Sequence, residues 1–184
     1  MRMRAVAALT AATVALTAAV ATAGGASGRA AASTDLTLTP LGIGPLRVGM
    51  TVEQARRASG RRIVLDGAEF GTGGCRYAAV RSLRVYLMLL SGRIARIDVA
   101  RGSPVHALGG IRRGDTEADV RAAFGPKVVE TQHAYVPGGS YLTVGWRTGA
   151  YARRGIRFET NEKGTVTDIY AGRHDPIRYI EGCA

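Results

Sequence analysis

The chain has 184 residues, 25 Lys and Arg against 14 Asp and Glu, and a formal net charge of +11 at pH 7. Two cysteines exclude a cysteine-rich zinc fold, and 6% aromatic residues with arginines spread along the whole length argue against a nucleic-acid platform. The positive excess reads first as a solvated basic surface and second as an attraction for anionic envelope polymers.

Met1-Arg2-Met3-Arg4 is a positive n-region, Ala5 to Val20 is uncharged, and Ala21-Thr22-Ala23 has the small-x-small pattern of a cleavage site. Residues 1–23 are therefore expected to be an export signal. A membrane anchor would need about 20 strongly apolar residues, and this stretch is mostly alanine and threonine. No cysteine follows to carry a lipid, and no later segment is apolar enough to span a membrane. Removing 23 residues leaves 161, with a charge of +9, enough for one compact domain or two fused halves. Residues 24–39 open on small and polar residues and are expected to be a flexible tether.

A motif then occurs twice. Gly44-Pro45-Leu46-Arg47-Val48-Gly49-Met50-Thr51 returns 65 positions later as Gly109-Gly110-Ile111-Arg112-Arg113-Gly114-Asp115-Thr116. Each copy predicts a short helix. Thr51 is the N-cap with Gln54 as its capping-box partner and Gly60 as the stop, and Thr116, Asp119 and Gly125 repeat the layout. Val52, Ala55 and Ala58 share one face, as do Val120, Ala123 and Phe124.

After the first helix, Arg62 to Leu65 and Arg76 to Val80 are short candidate strands, with Gly71-Thr72-Gly73-Gly74 as a turn between them. Leu83 to Leu89 alternates with period two, Ser91-Gly92 turns the chain, and Arg93 to Val99 returns. In the second half Val128 to Thr131 and Tyr141 to Trp146 precede a hairpin of Ile156 to Thr160 and Val166 to Ala171. Gly92 aligns with Gly164 and Ile97 with Ile169, now 72 apart, so the second half carries seven extra residues. The predicted fold class is α+β: two tandem helix-plus-antiparallel-sheet repeats, residues 40–104 and 105–184 with a C-terminal tail.

The alternation assigns Val85, Leu87, Ala95, Ile97, Val99, Ile156, Phe158, Thr167 and Ile169 to the helix side. The other face would display Arg84, Tyr86, Met88, Arg96, Asp98, Tyr141, Arg157, Asp168 and Tyr170, a polar and aromatic surface suited to binding. Catalytic signatures are lacking. His106, His133 and His174 have no second ligand at metal-binding spacing, and no nucleophile elbow, Walker loop or Rossmann fingerprint occurs. Glu53, Asp98, Asp168 and Glu181 have nothing to pair them as acid and base. No catalytic residue, metal ligand or cofactor is assigned. Cys75 and Cys183 are the only cysteines, and in an exported chain they are expected to form one disulfide closing a loop of more than 100 residues.

The Arg47-Val48-Gly49-Met50-Thr51 run, its second version Arg112-Arg113-Gly114-Asp115-Thr116 and the helix-then-strands order resemble the β-lactamase inhibitory protein family, over most of residues 40 to 175. A related helix-sheet unit occurs in the small lipoproteins of outer-membrane protein assembly. The resemblance implies that the two repeats form one continuous curved antiparallel sheet with helices on one face and a concave protein-binding face on the other. It does not extend to inhibition of a β-lactamase: the family carries a disulfide within each repeat and an aromatic-rich face, and this chain has one tryptophan. The function expected is a secreted, non-enzymatic binding module that contacts an extracellular or envelope protein, or an envelope polymer, through the exposed sheet face. The alternatives are a wall-associated structural protein held by charge on anionic polymer and, third, a wall-directed hydrolase.

Overall fold

A computed structural model describes residues 36–70 and 74–183. The export signal, most of the tether and the turn at 71–73 lie outside the described residues. The chain forms β1 (Thr37–Thr39), β2 (Gly42–Ile43), β3 (Leu46–Arg47), α1 (Val52–Ser59), β4 (Val64–Phe70), β5 (Cys75–Val80), β6 (Val85–Leu90) and β7 (Arg93–Val99). It continues with β8 (His106–Ala107), α2 (Glu117–Phe124), β9 (Val128–Gln132), β10 (Ser140–Trp146), β11 (Arg154–Thr160) and β12 (Val166–Arg173). The class is α+β, dominated by strands. Among the described residues no helix is long and apolar enough to cross a membrane.

Eight strands make an antiparallel sheet in the order β4-β5-β6-β7-β12-β11-β10-β9. Its two halves meet where β7 pairs with β12, and there Gly172 stands opposite Arg96. A Cβ on Gly172 would lie 2.3 Å from the Ala95 carbonyl oxygen, so only glycine fits that seam. The structure also corrects the expectation of a single sheet. A second, four-stranded sheet has the order β3-β2-β1-β8, with β1 parallel to β8. It draws Thr37–Thr39 out of the expected tether into the folded body, because Leu38 is buried there.

Both predicted capping boxes form. Gln54 N–H donates to Thr51 Oγ1 at 3.2 Å while Thr51 N–H donates to Gln54 Oε1 at 2.9 Å, and Thr116 and Asp119 do the same at 3.3 and 2.8 Å. Such caps contribute about 1 kcal/mol each, but helices this short hold only by packing. Ala55 and Val120 supply that contact, in one core with Val85, Leu87, Ile97, Val99, Ile156, Phe158 and Ile169. Ala58 and Ala123, expected on the inner stripe, are exposed: an eight-residue helix meets the sheet over little more than one turn.

The β6–β7 turn has positive φ at both Ser91 (50°) and Gly92 (72°), the type I′ geometry that matches strand twist. Two β-bulges correct the facing. Register shifts between Met88 and Leu89, so Leu89 opposes Ile94, and Ile94 instead of Ala95 enters the helix-side core. The β11–β12 ladder shifts between Glu159 and Thr160, so Thr160 opposes Val166, and Val166 replaces Thr167 in that core. Strict period-two alternation cannot see an inserted residue.

Candidate anion-binding cleft

The second face of the large sheet is not the open surface the sequence implied. Of the nine residues expected on that face, Met88, Arg96, Tyr141, Arg157 and Tyr170 are buried, Asp98 and Asp168 are half-buried, and only Arg84 and Tyr86, the latter at 41%, are well exposed. After β12 the chain turns back over this face through a short helical turn at Pro176–Arg178, with Pro176 and Ile177 buried, and ends at the disulfide of Cys183 to Cys75, Cα–Cα 5.4 Å. Arg96, 4% exposed, holds this C-terminal segment. It donates to the carbonyls of Pro176 (3.1 Å) and Tyr179 (2.9 Å), to Tyr77 Oη (2.9 Å) and to both Asp98 carboxylate oxygens (2.7 and 2.8 Å), with Tyr170 under its guanidinium at 4.4 Å.

Burial opposes the Arg96 charge, but Asp98 more than offsets it and the guanidinium pKa rises. Burial first, then Asp98, pushes the Tyr77 phenol up to about 12. Tyr170 is also pushed up, by burial and then by Glu159, whose carboxylate accepts from its hydroxyl. Asp168 pairs with Arg113 at the rim. These groups are a structural network. They are satisfied by one another and leave little for a partner.

The free chemistry lies at the end of the sheet. The β10–β11 connection leaves Trp146, passes through Gly149–Tyr151 and returns at Arg153, whose N–H donates to the Trp146 carbonyl at 2.8 Å. His174 N–H then donates to the Arg153 carbonyl at 3.0 Å, tying the end of β12 to the same loop. The result is a cleft of about 790 Å³ lined by Arg147, Arg153, Arg154 and Arg173, with Trp146 and His174 beside them.

Three features mark these arginines as more than solvated surface. Arg154 and Arg173 stand directly opposite each other on neighbouring strands, a like-charge pairing that costs stability. Arg154 Nε is buried and has no hydrogen-bond partner among the described residues. Arg153 holds φ at 59°, a left-handed conformation that costs a non-glycine residue about 1 to 2 kcal/mol. None of the four forms an ion pair with a described residue. The carboxylates that pair are used elsewhere: Glu53 with Arg57, Asp98 with Arg96, Glu130 with Arg121. Asp175, the one carboxylate among the described residues that line the cleft, is itself exposed and lies 3.3 Å from His174 Nδ1.

Reading the arginines as evenly spread missed this cleft. The visible signal was the Arg153-Arg154 doublet at a hairpin turn, bracketed by Arg147 and by Arg173-His174. Among the described residues no group of three or more His, Cys, Asp or Glu side chains could hold a metal ion. No family model, curated protein or solved structure matches the chain.

Proposed function

We propose that the protein is a secreted, non-enzymatic binding module for an anionic polymer of the cell envelope, and that the arginine cleft is its binding site. The observation that carries this is the convergence of Arg147, Arg153, Arg154 and Arg173 on one cleft without ion-pair partners among the described residues. Guanidinium forks take phosphate and carboxylate oxygens two at a time. An incoming anion would supply the counter-charge that the fold withholds. Export is supported by residues 1–23 and by a disulfide, which persists in oxidising compartments. The sheet-face version of the binding hypothesis gives way because the C-terminal segment lies on that face.

The scaffold is proposed to be a tandem repeat of the β-lactamase inhibitory protein type. Supporting this, Thr51 bridges Arg93 while Thr116 bridges Thr165, and Gly49 and Met50 bond Ile94 as Gly114 and Asp115 bond Val166. The extra residues of the two bulges, Ala95 and Thr167, are also related by the 72-residue offset.

Binding to polyphosphate should fall steeply with salt. Four neutralised anionic groups give a loss of roughly 50- to 150-fold between 50 and 200 mM salt by counterion release. Salt-insensitive retention would refute the reading. Arg153→Gly separates function from folding: it relieves the left-handed backbone and should raise stability by about 1 kcal/mol while weakening polyphosphate binding several-fold. Thermal melts and titrations on the same samples check both signs. Unchanged affinity in this variant and in Arg173→Ala would remove the cleft as the site.

A further inference from the structure

The cleft continues into a groove of about 350 Å³ on the second face of the sheet, between the β9 edge and the C-terminal segment, and Trp146, Arg147 and His174 line both. The groove adds Lys127, Arg157 and Arg178, and no carboxylate is among its described lining residues. Arg157 is its most informative member. The side chain is 6% exposed, Nε donates to Thr143 Oγ1 at 3.0 Å, and the guanidinium lies 4.7 Å from the Tyr141 ring centroid. Neither contact brings a negative charge. The terminal nitrogens donate to no described acceptor, and no described carboxylate stands within ion-pair distance.

Arg96 shows the contrast on the same face: equally buried, it has Asp98, two carbonyls and a phenol around its fork. A buried cation lacking such partners is costly to the fold. Burial holds the Arg157 pKa below the ordinary arginine range; Tyr170 and the more distant Glu159 carboxylate offset this only in part, and Arg178 adds to it. Resting on the polyanion reading of the cleft, we infer that the groove is a second anion subsite anchored by Arg157. The ligand is then a polyanionic chain that runs from the cleft past Arg147 and His174 toward Lys127, and not a single small anion.

Polyphosphates of graded length are the probe, with tripolyphosphate as the short chain. Trp146, the one tryptophan in the chain, reports occupancy by fluorescence at the junction. Long chains should bind more tightly than tripolyphosphate, and Arg157→Met should narrow that gap about tenfold because a charge-assisted fork is lost. Without ligand, Arg157→Met should melt no lower than wild type, since it removes a buried charge that no described carboxylate pairs directly. Lys127→Ala, at an exposed position, should narrow the gap about threefold and serves where Arg157→Met folds poorly. Polygalacturonate should show the same length dependence if anionic charge of either kind is read.

If Arg153→Ala weakens long and short chains while Arg157→Met and Lys127→Ala leave the gap unchanged, the groove is not a subsite. The inference then falls with the cleft reading intact. A large drop in the melting temperature of Arg157→Met with unchanged chain affinity would make Arg157 a structural residue and overturn it likewise. Failure of wild type to bind any polyanion at low salt would overturn both.

Discussion

Arg96→Ala should destabilise the protein by about 3 to 5 kcal/mol, the cost of removing one partner from a buried ion pair. The residue is the hub of the second sheet face: it joins Asp98, Tyr77, the Pro176 and Tyr179 carbonyls and the Tyr170 ring. Its loss leaves the Asp98 carboxylate without its counter-charge and two carbonyls without donors. Arg96→Lys keeps the charge but cannot reproduce a fork that reaches five acceptors, so it should recover only part of the loss. Denaturant unfolding measures the first effect, and limited proteolysis within 176–182 measures release of the segment. A loss below about 1 kcal/mol would show that Arg96 merely rests on the face.

Cys75→Ser with Cys183→Ser should cost about 4 to 5 kcal/mol on the chain-entropy model, because the bridge spans a sequence separation of 108. The same variant tests the path of the C-terminal segment. Ile177 sits fully buried against Gly155, where a Cβ would meet its Cδ1 at 2.6 Å, and Gly182 passes over the Tyr77 hydroxyl. With the bridge gone, those contacts, Arg96 and the exposed bond from the Tyr135 hydroxyl to the Glu181 carboxylate hold the segment, so amide exchange across 177–182 should accelerate before global unfolding. An unchanged unfolding midpoint and unchanged exchange would refute the claim that the bridge ties the tail to the sheet. Because both substitutions act on one segment, their combined effect with Arg96→Ala should be less than additive.

Much of the architecture was legible locally. A capping box needs only a threonine and its partner three residues on, and a type I′ turn needs only residues that tolerate positive φ, so α1, α2 and the β6–β7 hairpin follow from short windows. The disulfide followed from there being just two cysteines. The bulges, the parallel β1–β8 pairing and the burial of Tyr141 and Tyr170 were not legible, since each depends on what a distant segment brings to that place. A side chain on the non-core face of a strand looks the same in sequence whether solvent or residues 174–183 lie above it.

The candidate site shows the same division. Sequence alone determined that this chain carries a large excess of arginine, two capped helices before alternating strands, and one possible disulfide, because these are properties of composition and of windows a few residues wide. Only the tertiary structure decided which arginines are spent and which are free. Arg96 and Arg113 meet Asp98 and Asp168 on the sheet, whereas Arg154 and Arg173 are set opposite each other by β11–β12 register and Arg157 is buried with no described carboxylate at ion-pair distance. An ion pair forms or fails over a few ångströms, and that separation is set by strand register and by the fold of the C-terminal segment, not by position along the chain.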